Sequence, residues 1–113
     1  MGRVMTSIHI LCDKETNIVK GFEIFDHADY ADKGYDIVCA AISAISITIQ
    51  NAIEKQCDDA FCQEADPKKT SMKFLIKETP SHDAAVLLQA AVEGFRGIAE
   101  EYKENVRILI QEV

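Results

Sequence analysis

The sequence lacks the long apolar run of a membrane span and the basic excess of a nucleic-acid-binding protein. No apolar run approaches the roughly 18 to 20 residues that cross a bilayer, so we expect no membrane partner. The N-terminal segment contains no secretory h-region followed by a small-residue cleavage site. The 12 basic and 19 acidic side chains give a net charge of −7, which disfavours direct binding to nucleic acid. We therefore expect a cytoplasmic protein.

Linkers and internal repeats are also missing, so residues 1–113 are predicted to form a single domain. A chain of 113 residues that is 48% hydrophobic can fill one core. A protein with such a core does not need disulfides to fold, and the four cysteines are expected to be free thiols.

The hydrophobic pattern predicts six elements in the order β-β-α-β-α-β. Alternating polar and apolar residues indicate strands, and apolar residues at helical spacing indicate two amphipathic helices. The strands are predicted at residues 4–12, 18–25, 72–77 and 106–110, and the helices at 37 to about 55 and from 80–81 onward. Residues 56–70 are polar and are predicted to form a surface loop. These elements predict an α+β fold, a two-layer sandwich with a four-stranded sheet and both helices on one face.

The strongest chemical signal is a histidine that precedes a cysteine by twelve residues. Asp36 is predicted to cap the first helix, which places Cys39 in the first turn. Unpaired N–H groups at a helix N-terminus favour a thiolate, and His27 in the preceding loop provides a base. A thiol and an imidazole in this arrangement are typical of nucleophilic catalysis. A buried structural thiol with an unrelated loop histidine is the alternative.

The residues around Cys39 suggest supporting roles. Backbone N–H groups of Cys39 and Ala40 are expected to hold an oxyanion, with Ser43 one turn farther along as a polar support. The loop from Ala28 to Tyr35 is expected to contact substrate, with Gly34 as a hinge. Three carboxylates are candidates to orient His27, and the sequence does not choose among them: Asp26, Asp29 and Asp32.

The predicted helix separates Cys39 from the isoleucine-rich face that must pack in the core. Cys39 instead shares a neighbouring stripe with four polar residues: Ser43, Ser46, Gln50 and Glu54. A purely structural cysteine would more naturally lie among the isoleucines.

Cys57 and Cys62 form a second, weaker candidate site. Zinc would need two more ligands, of which His82 is the nearest candidate, and a C-x4-C pair lacks the geometry of a C-x-x-C redox motif. We therefore expect no metal and no cofactor.

The segment that begins at His27 resembles a known family motif. It reads H-A-x-x-x-x-x-G-x-D-x-V-C-A-A-x-S-A, and the C-terminal stretch EEYKENVRI provides a second match. Both are similar to the ribosomal-processing cysteine proteases of bacteria, the Prp family, and the resemblance extends over nearly the whole chain. Asp26 departs from the pattern, because the family usually has glycine before the histidine.

The resemblance implies that His27 and Cys39 form a catalytic dyad. It also implies that the protein removes an N-terminal extension from a protein of the large ribosomal subunit, and that it is a homodimer. The alternative is a non-catalytic ribosome-associated assembly or interaction protein.

Overall fold

The computed structural model describes residues 5–26, 33–66 and 71–113, which form five strands and two helices. The elements in chain order are β1 Thr6–Cys12, β2 Val19–Asp26, α1 Lys33–Gln56, β3 Phe61–Asp66, β4 Ser71–Ile76, α2 His82–Glu101 and β5 Val106–Glu112. The strands form one mixed sheet in the order β3-β4-β2-β1-β5. β5 runs parallel to β1, and the other neighbouring strands are antiparallel.

The core lies between one face of this sheet and the two helices. In the β1–β2 register Ile8 lies opposite Ile24 and Ile10 lies opposite Phe22, so these alternate residues share a face. All four are buried in one cluster with apolar residues from both helices. α2 reaches this face through Phe95, whose ring meets that of Phe22 edge to face at 5.3 Å. Both helices therefore cover the same side of the sheet, as predicted.

The prediction of a four-stranded sheet is wrong, because the segment predicted as a loop contains β3. This strand pairs with β4 and forms one edge of the sheet. All six of its residues are exposed or only partly buried, so its sequence lacks the clear polar–apolar alternation of an inner strand. The six predicted elements occur in the predicted order, with β3 added, and the four predicted strands end within two residues of the predicted bounds.

The first helix is longer and more apolar than predicted. It begins at Lys33, four residues before the predicted start. Within the described part of the chain, Ile37–Gln56 is the one helical stretch long and apolar enough to cross a membrane, and 33% of it is buried in this fold. The expectation that no stretch reaches this length was wrong, because the scattered serine, threonine and glutamine residues interrupt the apolar run without greatly lowering its average hydropathy. Core helices can have the same length and composition.

Candidate active site

Cys39 lies in the second turn of α1, where it is half-buried. It is the seventh residue of the helix, next to the fully buried Val38. The prediction of Asp36 as the helix cap is wrong, because Asp36 is the fourth residue of α1. Asp36 therefore does not occupy the non-helical position from which a side chain caps the first turn.

The early start of α1 also changes which backbone N–H groups lack a helical partner and could bind an oxyanion. In an α-helix each N–H bonds to the carbonyl four residues earlier, and only the first turn has N–H groups without helical partners. The N–H groups of Cys39 and Ala40 lie beyond that turn, so their expected placement in the first turn is wrong, and their role in an oxyanion hole stays a prediction. Gly34 and Tyr35, predicted to lie in a loop, belong to the first turn of α1.

The predicted partner of Cys39 lies in the segment that joins β2 to α1. His27 and Ala28 are outside the described residues, as are Asp29 and Asp32. Asp26, the last residue of β2, directly precedes His27 in the chain.

A pocket of about 410 Å³ lies beside the Cys39 stripe of α1, between the helix and the ends of three strands. Ser43, one turn beyond Cys39, lines it at one end, and Gln50 lines it two turns farther along. Ile24, Ile42 and Met72 contribute apolar surface from β2, α1 and β4. The stripe identified in the sequence therefore faces a cavity for much of its length.

A chain of hydrogen bonds follows this side of α1. The Ser46 hydroxyl donates to the carbonyl of Ile42 at 2.8 Å, and the Gln50 amide donates to the carbonyl of Ser46 at 3.1 Å. The side-chain amide of Gln63 on β3 donates to Oε1 of Gln50. Ser46 and Gln50 are 3% and 5% exposed, so these bonds satisfy polar groups that burial would otherwise penalise. They also connect α1 to β3.

The other three cysteines are less suited to be nucleophiles. None of the four cysteines forms a disulfide. Burial, reinforced by the charge of Glu112, raises the pKa of Cys12, and burial with the charge of Asp59 raises the pKa of Cys57. A raised pKa leaves less thiolate at neutral pH. Cys62 lies opposite Leu75 on the sheet face away from the helices.

The weaker candidate for a metal site, at Cys57 and Cys62, receives no support from the described residues. Among them, no group of three or more His, Cys, Asp or Glu side chains is placed to hold a metal ion. Cys57 directly follows α1, whereas Cys62 lies within β3.

Sequence reasoning missed the pocket wall formed by β3 and the contact made by Gln63. The sequence feature that could have indicated this strand is the spacing of Phe61, Gln63 and Ala65. These alternate residues point to the same side of an extended strand. The surrounding acidic and polar residues obscured that alternation.

Comparisons with known proteins give consistent matches. The family model described as cysteine protease Prp matches residues 5–107. The ribosomal processing cysteine protease Prp of Staphylococcus aureus is 32% identical over 82 residues, covering 73% of this chain and 77% of that protein. A crystal structure of an essential ribosomal processing protease Prp from S. aureus with a substrate peptide has a TM-score of 0.85 at 27% identity, covering 95% of this chain and 100% of that one. A structure with a covalently linked product peptide has a TM-score of 0.82 at 28% identity, with the same coverage.

Proposed function

This chain belongs to the cysteine protease Prp family, and from that premise we propose that it removes an N-terminal extension from a protein of the large ribosomal subunit. The proposed catalytic residues are Cys39 and His27. The observation that carries the proposal is the position of Cys39, half-buried on the helix stripe that continues along an apolar pocket. The relatives crystallised with substrate and product peptides support a peptide as the substrate.

The proposed reaction is acyl transfer through a thioester. The Cys39 thiolate attacks the carbonyl carbon of the scissile peptide bond, and the C–N bond breaks as His27 gives a proton to the leaving amine. His27 then removes a proton from water, which attacks the thioester and releases the acid product and the free thiol. One histidine therefore acts first as an acid and then as a base.

The position of Cys39 in α1 determines what must stabilise its thiolate. The effect of the helix dipole falls off within the first turn, and Cys39 lies in the second. Asp36 is three residues away on the same helix, and a carboxylate nearby disfavours a second negative charge. We therefore infer that a protonated His27 provides most of the stabilisation, as an ion pair. Asp26, next to His27 in the chain, favours that protonated form.

The supporting roles that remain proposed concern substrate binding. Ser43 lines the end of the pocket near Cys39 and is a polar contact for the substrate. Ala28, Gly34 and Tyr35 belong to the segment that precedes the nucleophile, and we propose that this segment contacts the peptide. We also propose that the protein acts in the cytoplasm as a homodimer.

The direct test is to incubate the protein with the unprocessed ribosomal precursor and follow cleavage by mass spectrometry. Cys39→Ala and His27→Ala are each expected to reduce the rate by a factor on the order of 10⁴ or more. Cys62→Ala is the matched control, since it removes a thiol from the opposite sheet face and is expected to retain activity.

Cleavage that persists in Cys39→Ala or His27→Ala would contradict the dyad. Co-sedimentation with ribosomal particles, with no cleavage and no effect of alkylating Cys39, would instead indicate the non-catalytic alternative.

A further inference from the structure

We propose that the pocket beside Cys39 accepts one apolar side chain of the substrate peptide, and that the Gln50–Gln63 amide pair limits the length of that side chain. This inference rests on the proposed protease function. It adds a specificity determinant that lies on α1 and on the unpredicted strand β3.

The position of the pocket relates it to the scissile bond. Ser43 lies four residues beyond Cys39, which is about 6 Å along the helix axis. An extended peptide advances about 3.3 to 3.6 Å per residue. The side chain that enters the pocket therefore belongs to a residue within about two positions of the bond that Cys39 attacks.

The lining of the pocket selects an apolar side chain. Ile24, Ile42, Ile47 and Met72 surround it with hydrocarbon, and an apolar group gains roughly 25 cal/mol per Å² by leaving water. The buried hydroxyl of Ser46 already donates to a helix carbonyl. A negatively charged substrate side chain would lose its hydration without gaining a partner of opposite charge, because the ionisable side chain in the lining is the carboxylate of Asp66.

Gln50 lines the pocket at the end away from Cys39, and Gln63 forms a hydrogen bond with it there. Gln50 is the farthest lining residue along α1, and its amide is held by the carbonyl of Ser46. Gln63 donates to Gln50 and lies two residues before Ala65, another lining residue on the same face of β3. The pair therefore bridges helix and strand where the pocket ends. Since both amides are engaged, a long side chain must break a hydrogen bond to pass them.

The end of the pocket is formed by a buried polar side chain, that of Gln50, which hydrogen bonds hold in place. Gln50 is 5% exposed, and both its amide nitrogen and its amide oxygen take part in hydrogen bonds. Breaking the Gln63 bond would leave the Gln50 oxygen buried without its partner, which is costly. This cost makes the end of the pocket a firm limit.

The experiment uses synthetic peptides that span the processing site of the ribosomal precursor. Each position within two residues of the scissile bond carries, in turn, alanine, norvaline, norleucine, phenylalanine or biphenylalanine. For wild-type protein we expect kcat/KM at one position to rise with side-chain length up to phenylalanine and then to fall about tenfold for biphenylalanine.

Gln63→Ala removes the bridge at an exposed residue and opens the end of the pocket. We expect it to raise the ratio of kcat/KM for biphenylalanine to that for phenylalanine about tenfold. Gln89→Ala is the matched control, since it removes an exposed glutamine that bonds to Glu93 on α2 and is expected to leave the ratio unchanged. An unchanged ratio in Gln63→Ala, or no length preference at any position, would overturn the proposal.

Binding measurements separate this proposal from the protease function. The same peptides, fluorescently labelled, are titrated with Cys39→Ala and followed by anisotropy. Cleavage that depends on Cys39 but ignores side-chain length refutes the pocket and leaves the protease function intact. A length preference in binding without cleavage by the wild-type protein supports the pocket and refutes the protease function.

Discussion

Asp59 is the side chain that joins the end of α1 to the beginning of α2. Its carboxylate accepts hydrogen bonds from the Ser81 backbone N–H at 2.7 Å and from the Ser81 hydroxyl at 2.6 Å. The same hydroxyl accepts from the N–H of Ala84 at 3.3 Å, which makes Ser81 the N-cap of α2. The two bonds from Ser81 hold the pKa of Asp59 below its ordinary value.

The lowered pKa predicts a pH-dependent contribution to stability. A carboxyl whose pKa is lower in the folded state stabilises above its unfolded pKa, and the contribution is lost as the pH falls through the folded pKa. Asp59→Asn is therefore expected to lower the free energy of unfolding by about 1 kcal/mol at pH 7, with a smaller difference below about pH 4. Urea unfolding at pH 7 and pH 3 measures this.

Asp58→Asn is the matched control, because Asp58 is the exposed neighbour of Asp59. We expect it to change the free energy of unfolding by less than about 0.5 kcal/mol at both pH values. A loss in Asp59→Asn that is equally large at pH 7 and pH 3 would contradict the role assigned to the charge.

Two glycines show how differently one residue type is used in the strands and the helices. Gly21 on β2 lies opposite Leu75 on β4, where an added Cβ would collide with the carbonyl oxygen of Phe74 and lie 2.9 Å from the Cα of Leu75. Gly97 on α2 lies in open space. Apart from its chain neighbours and the backbone of its own helix, no described atom lies within 4 Å of a Cβ added there.

These surroundings predict effects of opposite sign. Gly21→Ala must push β2 away from β4, and we expect it to lower the free energy of unfolding by about 2 to 3 kcal/mol. Gly97→Ala is the matched substitution in open space, and we expect it to stabilise the protein by up to about 1 kcal/mol because alanine favours a helix. Urea unfolding of both variants tests the contrast. Equal effects of the two substitutions would contradict it.

Gly94 lies on α2 at a point where that helix packs closely against α1. A Cβ there would lie 2.8 Å from Cδ1 of Ile45 on α1. The close neighbour is therefore a side chain of the other helix. Gly94 accordingly contributes to the packing of α1 on α2.

The molecule as a whole depends on one core shared by the sheet and both helices. Phe95 carries this connection for α2, since it is fully buried and packs edge to face on Phe22. Phe22 in turn stacks on Phe74 of β4, with ring centroids 5.9 Å apart. Removing one of these rings therefore weakens packing between elements that are far apart in the chain.

Phe95→Ala is expected to lower the free energy of unfolding by about 3 to 5 kcal/mol. This is a large fraction of the roughly 5 to 15 kcal/mol that stabilises a typical domain. Circular dichroism and tyrosine fluorescence during urea unfolding measure the loss. Val86→Ala, at an exposed position of α2, is the control and is expected to change stability by less than about 0.5 kcal/mol. Similar unfolding midpoints for the two variants would contradict a single shared core.

Local patterns in the sequence were enough to predict several particular features. Alternation predicted β1, and helical spacing predicted an isoleucine-rich core face on the first helix, where Ile42 and Ile53 are buried. Both patterns depend on repeats of two or 3.6 residues along the chain. The same spacing placed Cys39 on a stripe beside that core. The sequence predicted that the second helix begins at residues 80–81, and the structure identifies Ser81 as its N-cap.

Long-range contacts decided what these patterns missed. β3 is a polar edge strand that is recognisable through its pairing with β4, and α1 extends back to Lys33, before the residues with a clear apolar period. The burial of Ser46 and Gln50 likewise depends on strands more than ten residues away, which turn a polar helix stripe into a pocket wall. The spacing of apolar residues along the chain shows which face of a helix or strand is apolar. Which element covers a polar face is decided by packing between segments that are distant in the sequence.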